Sequence, residues 1–267
     1  MSVSLNGRRI VILGGTSGIG LATAKAAQRE GAFVVVASSR QQRVDRALAS
    51  LESGAEGHVV DLSDEAQVRE FFEHIGAFDH LVYTAGETLQ LETLDAVQLD
   101  HARGFVNIRF WGAFMAVKYG SPHIRAGGSI TLTSGVAGLR PHKGWTVAAS
   151  ICGAMEALTR ALAVELAPIR VNAVCPGVVR TELWNDMTES NRDALYRNVA
   201  QSLPVGRVGE PEDLAHAYVY LMREGYSTGH VIVVDGGCRA SLSVEMPVRQ
   251  CRRPRVFGRS VCLCQHA

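Results

Sequence analysis

The sequence predicts an α/β protein with a single doubly wound domain, in which helices cover both faces of a parallel, seven-stranded sheet. Seven short apolar runs alternate along the chain with segments of helical spacing. The runs are continuously apolar, which is typical of parallel strands that are covered on both faces. A length of 267 residues, of which 47% are hydrophobic, suits one well-filled core.

Helical or turn segments separate the predicted strands. The strands are expected at residues 9–13, 33–37, 58–60, 80–85, 129–133, 170–175 and 230–234. The first helix is expected at residues 18–30, after a glycine-rich loop. Asp64 and Glu65 would form the acidic first turn of a later helix, and Pro211 would open another. Because no repeat or linker interrupts this alternation, we expect one domain over residues 1–244.

Composition excludes several classes of protein. Charged residues make up 20% of the chain and the formal net charge is +1, so no overall field favours nucleic acid or an anionic membrane. No stretch reaches the roughly 18 uninterrupted apolar residues that a membrane span needs. The chain also enters its first strand without a cleavable leader. We therefore expect a cytoplasmic protein, with its cysteines reduced.

Residues 245–267 differ in composition from the rest of the chain. They contain five arginines and one glutamate, so this segment carries +4, whereas 22 basic and 25 acidic residues leave the preceding part at −3. We predict a basic, disordered tail. An interaction arm with Cys262, Cys264 and His266 as a metal clip is the alternative. Three ligands in a structureless tail do not preorganise a site, so we expect no metal.

A glycine-rich loop joins the first predicted strand to the first predicted helix. Glycines let the backbone approach a pyrophosphate, and the free amides at a helix start attract its charge. An ordinary tight turn is the alternative, but the strand–loop–helix–strand context favours a Rossmann-like dinucleotide-binding domain. The predicted diphosphate contacts are Gly14, Thr16, Ser17, Gly18, Ile19 and Gly20.

The end of the second predicted strand indicates which dinucleotide is bound. An acidic residue here would accept hydrogen bonds from an adenosine 2′-hydroxyl and repel a 2′-phosphate. The chain instead offers Ser38, Ser39 and Arg40, with Arg43 one helical turn further on. Hydroxyls and a guanidinium fork suit a phosphate monoester, so the sequence predicts NADP(H) as cofactor.

Several further motifs resemble the short-chain dehydrogenase/reductase family over residues 5–244. Asp61-Leu62 follows the third strand, Ala85-Gly86 the fourth and Pro176-Gly177-Val178-Val179-Arg180-Thr181 the sixth, and Asp235-Gly236-Gly237 lies near the family's usual end. The resemblance implies that the first pair flanks the adenine and that Thr181 bonds the nicotinamide carboxamide. The additional cofactor contacts that it implies are Asp61, Leu62, Ala85, Gly86, Pro176, Gly177, Val179 and Thr181.

The resemblance leaves the family's Ser-Tyr-Lys-Asn tetrad without matching residues. The four positions fall on Gly135, Ala148, Cys152 and Arg109. Ser134 lies one residue before the serine position, and on a strand that shift reverses the side chain unless the strand end is bulged. The pattern is similar to a divergent subgroup that includes fungal alkaloid-pathway NADPH reductases doubling as cyclases. Members of that subgroup also lack the tyrosine and lysine.

Four residues are candidates for the active site. Arg109 is a fixed cation that could hold an oxyanion or a carbonyl, although a surface salt bridge explains its spacing equally well. His142, which stands where the fungal subgroup has an acidic residue, and Ser134 are secondary candidates for moving protons. Trp145 would shape the pocket, with Trp184 as a lid.

These features predict an NADP(H)-dependent oxidoreductase that acts on a small organic carbonyl, imine or enone. A cofactor-dependent cyclase or isomerase is one alternative, and a catalytically silent NADP(H)-binding regulatory protein is the other. The resemblance further implies a homodimer or homotetramer, since the family packs the helix that matches residues 148–167 between subunits.

Overall fold

The sheet is parallel throughout and contains seven strands. The computed structural model describes residues 4–87, 89 and 91–241, so the predicted tail at 245–267 lies outside the described residues. The strand order is β3-β2-β1-β4-β5-β6-β7. The strands are β1 Arg9–Leu13, β2 Phe33–Ser38, β3 Glu56–Val59, β4 Phe78–Tyr83, β5 Ile124–Thr133, β6 Arg170–Pro176 and β7 Val231–Val234.

Side chains of the central strands alternate between two apolar layers. On β1, Val11 and Leu13 join the apolar cluster on one face of the sheet. Ile10 and Ile12 join the cluster on the opposite face, beneath the first and last helices. All four side chains are fully buried, because helices cover both faces of the sheet.

The described residues form eight α-helices, which lie in these layers or beside them. They are α1 Gly18–Arg29, α2 Gln41–Leu48, α3 Glu65–Ile75, α4 Leu99–Val106, α5 Ala113–Gly120, α6 Thr146–Glu165, α7 Glu189–Ser202 and α8 Pro211–Arg223. A π-helical turn, Asn107–Gly112, joins α4 to α5. A third apolar cluster packs α7 against the segment that follows β6.

The predicted fold class is confirmed, with small differences at the ends of elements. The fourth strand begins at Phe78 and ends at Tyr83, two residues earlier at each end than the apolar run suggests. The Thr84 hydroxyl donates to the Leu13 and Gly14 carbonyls at 3.2 and 3.3 Å, so the chain turns here to meet the first loop. The strand order reverses between β1 and β4, which places a crevice at their carboxyl ends.

Candidate active site

A cleft of about 690 Å³ opens at the carboxyl ends of the strands. Its walls come from the first loop, the ends of β2 and β3, the segments after β4, β5 and β6, the π-helical turn and α6. All seventeen residues predicted to contact the cofactor line this cleft. Of the four predicted catalytic residues, the cleft brings together Arg109, Ser134 and Trp145, but not His142.

The glycine-rich loop leaves the start of α1 open to the cleft. Ser17 is the N-cap of this helix but makes no side-chain capping bond. The first N–H groups of the helix therefore have no capping side chain as their acceptor. Gly14 has a φ of 81°, and a Cβ there would lie 2.6 Å from the Ala85 amide nitrogen. A larger residue would therefore separate the loop from the segment after β4. These features fit a bound diphosphate group.

Cationic side chains gather at the end of β2. Ser38, Ser39, Arg40 and Arg43 all line the cleft. Arg40 is the N-cap of α2, and no side-chain capping bond is made there. Arg43 pairs with Glu182 at 3.2 Å, which links this end of the cleft to the segment after β6. Both partners are more than 40% exposed, so solvent weakens the pair.

The π-helical turn positions Arg109 in the cleft wall. The Tyr83 hydroxyl, on β4, donates to the Ile108 carbonyl within this turn. The Arg109 guanidinium lies over the Phe105 ring, 4.5 Å from its centroid, and Nη2 donates to the Glu87 backbone carbonyl. Gly86 allows this approach, since a Cβ there would lie 2.6 Å from Cζ. Arg109 is thus a packed residue of the cleft, not a partner in a surface salt bridge.

Burial shifts the pKa values of Arg109 and Glu87 in opposite directions, and each shift favours the uncharged form of its group. Burial lowers the pKa of the Arg109 guanidinium, although Glu87 and Cys152 oppose the shift. Burial raises the pKa of the Glu87 carboxyl and outweighs the attraction of Arg109. Two atoms at this place are covered and lack hydrogen-bond partners, Nε of Arg109 and Oε2 of Glu87.

The end of the strand that leads to Ser134 has no bulge, so Ser134 does not meet the condition for replacing the family's serine. The β5–β6 ladder runs without a bulge to Thr133 and Val174, and the Ser134 amide continues it by donating to the Val174 carbonyl at 2.9 Å. The Ser134 hydroxyl donates to Glu156 Oε1 at 3.0 Å. The residue borders the cleft, but its hydroxyl is bound to a side chain of α6.

His142 lies behind the cleft wall. It borders a separate small pocket together with Arg140, Trp145 and Cys238. Its ring meets the Trp145 ring edge to face, with centroids 4.8 Å apart. Burial and the charge of Arg140 lower the pKa of His142. Trp145 itself is buried and lines the main cleft, so it separates His142 from that space.

Apolar side chains form much of the cleft wall beside Arg109. Trp184, the predicted lid, is buried and its indole Nε1 donates to the Val179 carbonyl at 3.0 Å. Burial raises the pKa of the Cys152 thiol to about 11, which keeps it protonated. Other apolar residues that line the cleft include Leu89, Phe105, Ile108, Val136, Ala148, Ile151, Met155 and Leu183.

Sequence reasoning missed Glu87 and the structural role of Tyr83. Glu87 directly follows the Ala85-Gly86 motif, so its place after a buried strand was the available signal. Among the described residues that line the cleft there is no lysine, and the single tyrosine is Tyr83. Its hydroxyl is committed to Ile108, and burial raises its pKa far above the ordinary value.

The strand order and the glycine-lined cleft define a Rossmann-like α/β protein. The family model described as enoyl-(acyl carrier protein) reductase matches residues 14–239. The short-chain dehydrogenase/reductase ATR9 of Stachybotrys chlorohalonatus is 41% identical over 251 residues, covering 88% of this chain and 98% of the relative. The chain belongs to the short-chain dehydrogenase/reductase family, a family of oxidoreductases.

Two similar solved structures have informative descriptions. A small-chain dehydrogenase in complex with NADPH is 42% identical, with a TM-score of 0.79 over 88% of this chain and all of the other. The MalC reductase/Diels-Alderase of Malbranchea aurantiaca is 31% identical, with a TM-score of 0.81 over 88% of this chain and 97% of the other.

Proposed function

We propose that this protein is an NADPH-dependent reductase of a small organic carbonyl, imine or enone, with an atypical active site at Arg109. One observation carries the proposal: the phosphate-binding loop, the cationic end of β2 and the Arg109 guanidinium all line one cleft. The apolar wall of the same cleft gives a small organic molecule a binding surface.

NADPH is the cofactor that the cleft residues fit. The open start of α1 would hold the diphosphate, and Arg40 with Ser38 and Ser39 would hold the 2′-phosphate. The NADPH complex of a 42% identical dehydrogenase supports this assignment. When bound, the cofactor supplies a hydride to the substrate.

The active site that we propose works without the family's tyrosine and lysine. Ala148 and Cys152 line the cleft where those residues are expected by resemblance. Arg109 would hold the substrate oxygen and stabilise the negative charge that forms on it. Since a guanidinium is too basic to give up a proton, its role is orientation and charge stabilisation.

Cofactor binding followed by turnover tests the proposal. We expect NADPH to bind more tightly than NADH in calorimetry, and to be oxidised when a ketone, a cyclic imine or an enone is added. Failure to bind either coenzyme would contradict the whole assignment. Binding without oxidation by any of the three substrate classes would contradict the reductase activity.

A cyclase or isomerase is the second candidate. The observation that favours it is the similarity to a structure described as a reductase and Diels-Alderase. Cyclisation would use the cleft walls, including Trp145, to fold a polycyclic substrate, and it would leave the amount of NADPH unchanged. A catalytically silent, NADPH-binding regulator would bind the cofactor but convert no substrate. Product analysis with and without NADPH separates these candidates.

We propose further that the protein is a cytoplasmic homodimer or homotetramer that associates through α5, α6 and the π-helical turn. Among the described helices, α6 is the one that is long and apolar enough to span a membrane. Only 33% of its apolar 18-residue stretch is buried within the chain. Val164 on this helix and Trp111 on the turn are 81% and 51% exposed. Such apolar area favours self-association.

Light scattering during gel filtration tests the oligomer. We expect a dimer or tetramer for the wild type and a smaller species for Trp111→Glu with Val164→Glu. Tyr226, which is exposed elsewhere on the surface, provides the matched control as Tyr226→Glu. A monomeric wild type would contradict the proposed interface.

A further inference from the structure

We infer that Glu87 is the proton donor of this active site, and that the substrate is reduced at a neutral carbonyl oxygen held by Arg109. The inference rests on the proposed reductase function. With Glu87 as the acid beside Arg109, the substrate class narrows from carbonyls, imines and enones to ketones and conjugated ketones.

The position of Glu87 supports this role. It lines the cleft directly after Gly86, and the Arg109 guanidinium reaches across Gly86 to donate to the Glu87 backbone carbonyl. The two side chains line the same cleft and interact electrostatically, so a substrate oxygen held by Arg109 would lie near the Glu87 carboxyl. Within the described part of the chain, no Arg109–Glu87 ion pair forms between the side chains themselves.

The surroundings of the Glu87 carboxyl favour its protonated form. Oε2 is covered by protein and has no hydrogen-bond partner. The backbone amide of Glu87 itself stabilises the carboxylate, but less strongly than burial disfavours it. Arg109 and the buried Tyr83 are the ionisable groups that interact with it electrostatically. Burial outweighs the attraction of Arg109 and raises the pKa of Glu87, as a general acid near neutral pH requires.

Other ionisable side chains in the cleft are less suitable. The Tyr83 hydroxyl donates to Ile108, and Glu182 pairs with the exposed Arg43. The Ser134 hydroxyl donates to Glu156. The Cys152 thiol has a pKa of about 11, which is too high for efficient proton donation at neutral pH.

The chemical step balances with these groups. As the carbonyl carbon gains a hydride from NADPH, which is thereby oxidised to NADP⁺, the π electron pair of the C=O bond moves to the oxygen, where Arg109 would stabilise the charge. Glu87 gives its carboxyl proton to that oxygen, so the ketone becomes an alcohol and Glu87 becomes a carboxylate. Water then returns a proton to Glu87. An iminium substrate would need no such proton, because it already carries the positive charge that the hydride neutralises.

The test compares wild type with Glu87→Gln, a variant of nearly the same shape with no proton to give. With acetophenone and cyclohexenone we expect turnover to fall by ~10² to 10⁴-fold. Reduction of an N-methylpyrrolinium salt should change by less than about threefold, since that cation needs no acid. For wild type, kcat/KM with the ketones should fall as pH rises through the Glu87 pKa, and this decline should vanish in the variant.

A second readout does not depend on turnover. Carbon NMR of the wild type with labelled glutamate carboxyl groups should show a resonance that titrates above the ordinary glutamate range and is absent from Glu87→Gln. Titration of this resonance in the ordinary range would overturn the inference. Equal losses with ketone and iminium substrates would also overturn it, because they would indicate a structural role.

Two controls separate failure of this inference from failure of the proposed function. NADPH affinity should be the same in wild type and Glu87→Gln, which shows that the variant is folded. Glu73→Gln, on the exposed face of α3, should leave turnover unchanged. If the wild type is active and Glu87→Gln is equally active, only the role of Glu87 is contradicted. If the wild type oxidises NADPH with none of the probes, the reductase function and the role of Glu87 are both contradicted.

Discussion

Arg40 and Arg109 line the same cleft but differ in their exposure to solvent. Arg40 is an exposed N-cap at the mouth, where a guanidinium can meet a phosphate without losing much hydration. Arg109 is packed on Phe105 and has lost most of its contact with water, so its charge is only weakly screened. We therefore expect Arg40 to govern cofactor choice and Arg109 to govern the reaction.

Arg40→Asp should reverse the cofactor preference. A charge-assisted hydrogen bond contributes roughly 1.5–3 kcal/mol, so loss of the cation should weaken NADPH binding by about 10- to 100-fold. The new carboxylate can accept hydrogen bonds from the 2′-hydroxyl of NADH, whose binding should strengthen. Calorimetry with both coenzymes measures the change. Arg46→Asp, on the exposed face of α2, is the matched control, and equal NADPH affinity before and after Arg40→Asp would contradict the assignment.

Arg109→Ala should remove activity and spare NADPH affinity. Loss of one donor to a developing oxyanion typically lowers kcat by ~10² to 10³-fold. Arg103→Ala, in which an exposed arginine of the adjacent α4 is lost, serves as control and should keep full turnover. Unaltered turnover in Arg109→Ala would show that this residue lies outside the reacting site.

At the scale of elements, the π-helical turn between α4 and α5 is the feature that orients the site. A π-turn inserts one extra residue into the helix and changes the direction of the side chains around it. Here the Tyr83 hydroxyl holds the Ile108 carbonyl, while Gly112 packs so closely that a Cβ would lie 2.5 Å from the same hydroxyl. The end of β4 and the turn therefore fix Arg109 together.

Tyr83→Phe should loosen this turn. The variant leaves the Ile108 carbonyl without its donor, which we expect to cost about 1–3 kcal/mol in the free energy of unfolding. Turnover should fall as well, since Arg109 loses its fixed orientation. Urea unfolding and kcat measure the two effects. Tyr119→Phe, which removes an exposed bond to Glu65, should cost less than about 1 kcal/mol. A stable and fully active Tyr83→Phe would contradict the proposed role.

At the scale of the whole molecule, the central strands carry polar groups inside an apolar sheet. His80 on β4 is 2% exposed, and its Nδ1 lies 2.9 Å from Ser129 Oγ on β5. Burial lowers the pKa of His80 to about 4, against an ordinary value of 6.5. The folded protein therefore holds this ring neutral, while the unfolded chain takes up a proton below pH 6.5.

Stability should consequently fall as pH decreases from 6.5 to 4, and His80 should account for up to about 3 kcal/mol of that loss. Above pH 6.5 both states hold a neutral ring, and the contribution is fully present. Urea unfolding of wild type and His80→Gln at pH 7 and pH 5 measures it, because the difference between the two proteins isolates this residue. His101→Gln, exposed on α4, is the matched control and should keep the wild-type dependence. The same dependence in His80→Gln would contradict the prediction.

The sequence by itself determined the alternation of seven short strands with helices, the glycine-rich loop and the residues at the ends of β2, β3, β4 and β6. These follow from apolar period and from neighbours close along the chain, and parallel strands then bring their carboxyl ends to one edge. Tertiary structure decided the orientation of His142 behind Trp145, the bond that occupies Ser134, and the meeting of Arg109 with Glu87. Arg109 and Glu87 lie 22 residues apart, joined through packing of a π-turn on β4. Their contact depends on three-dimensional packing, which no local pattern in the chain encodes.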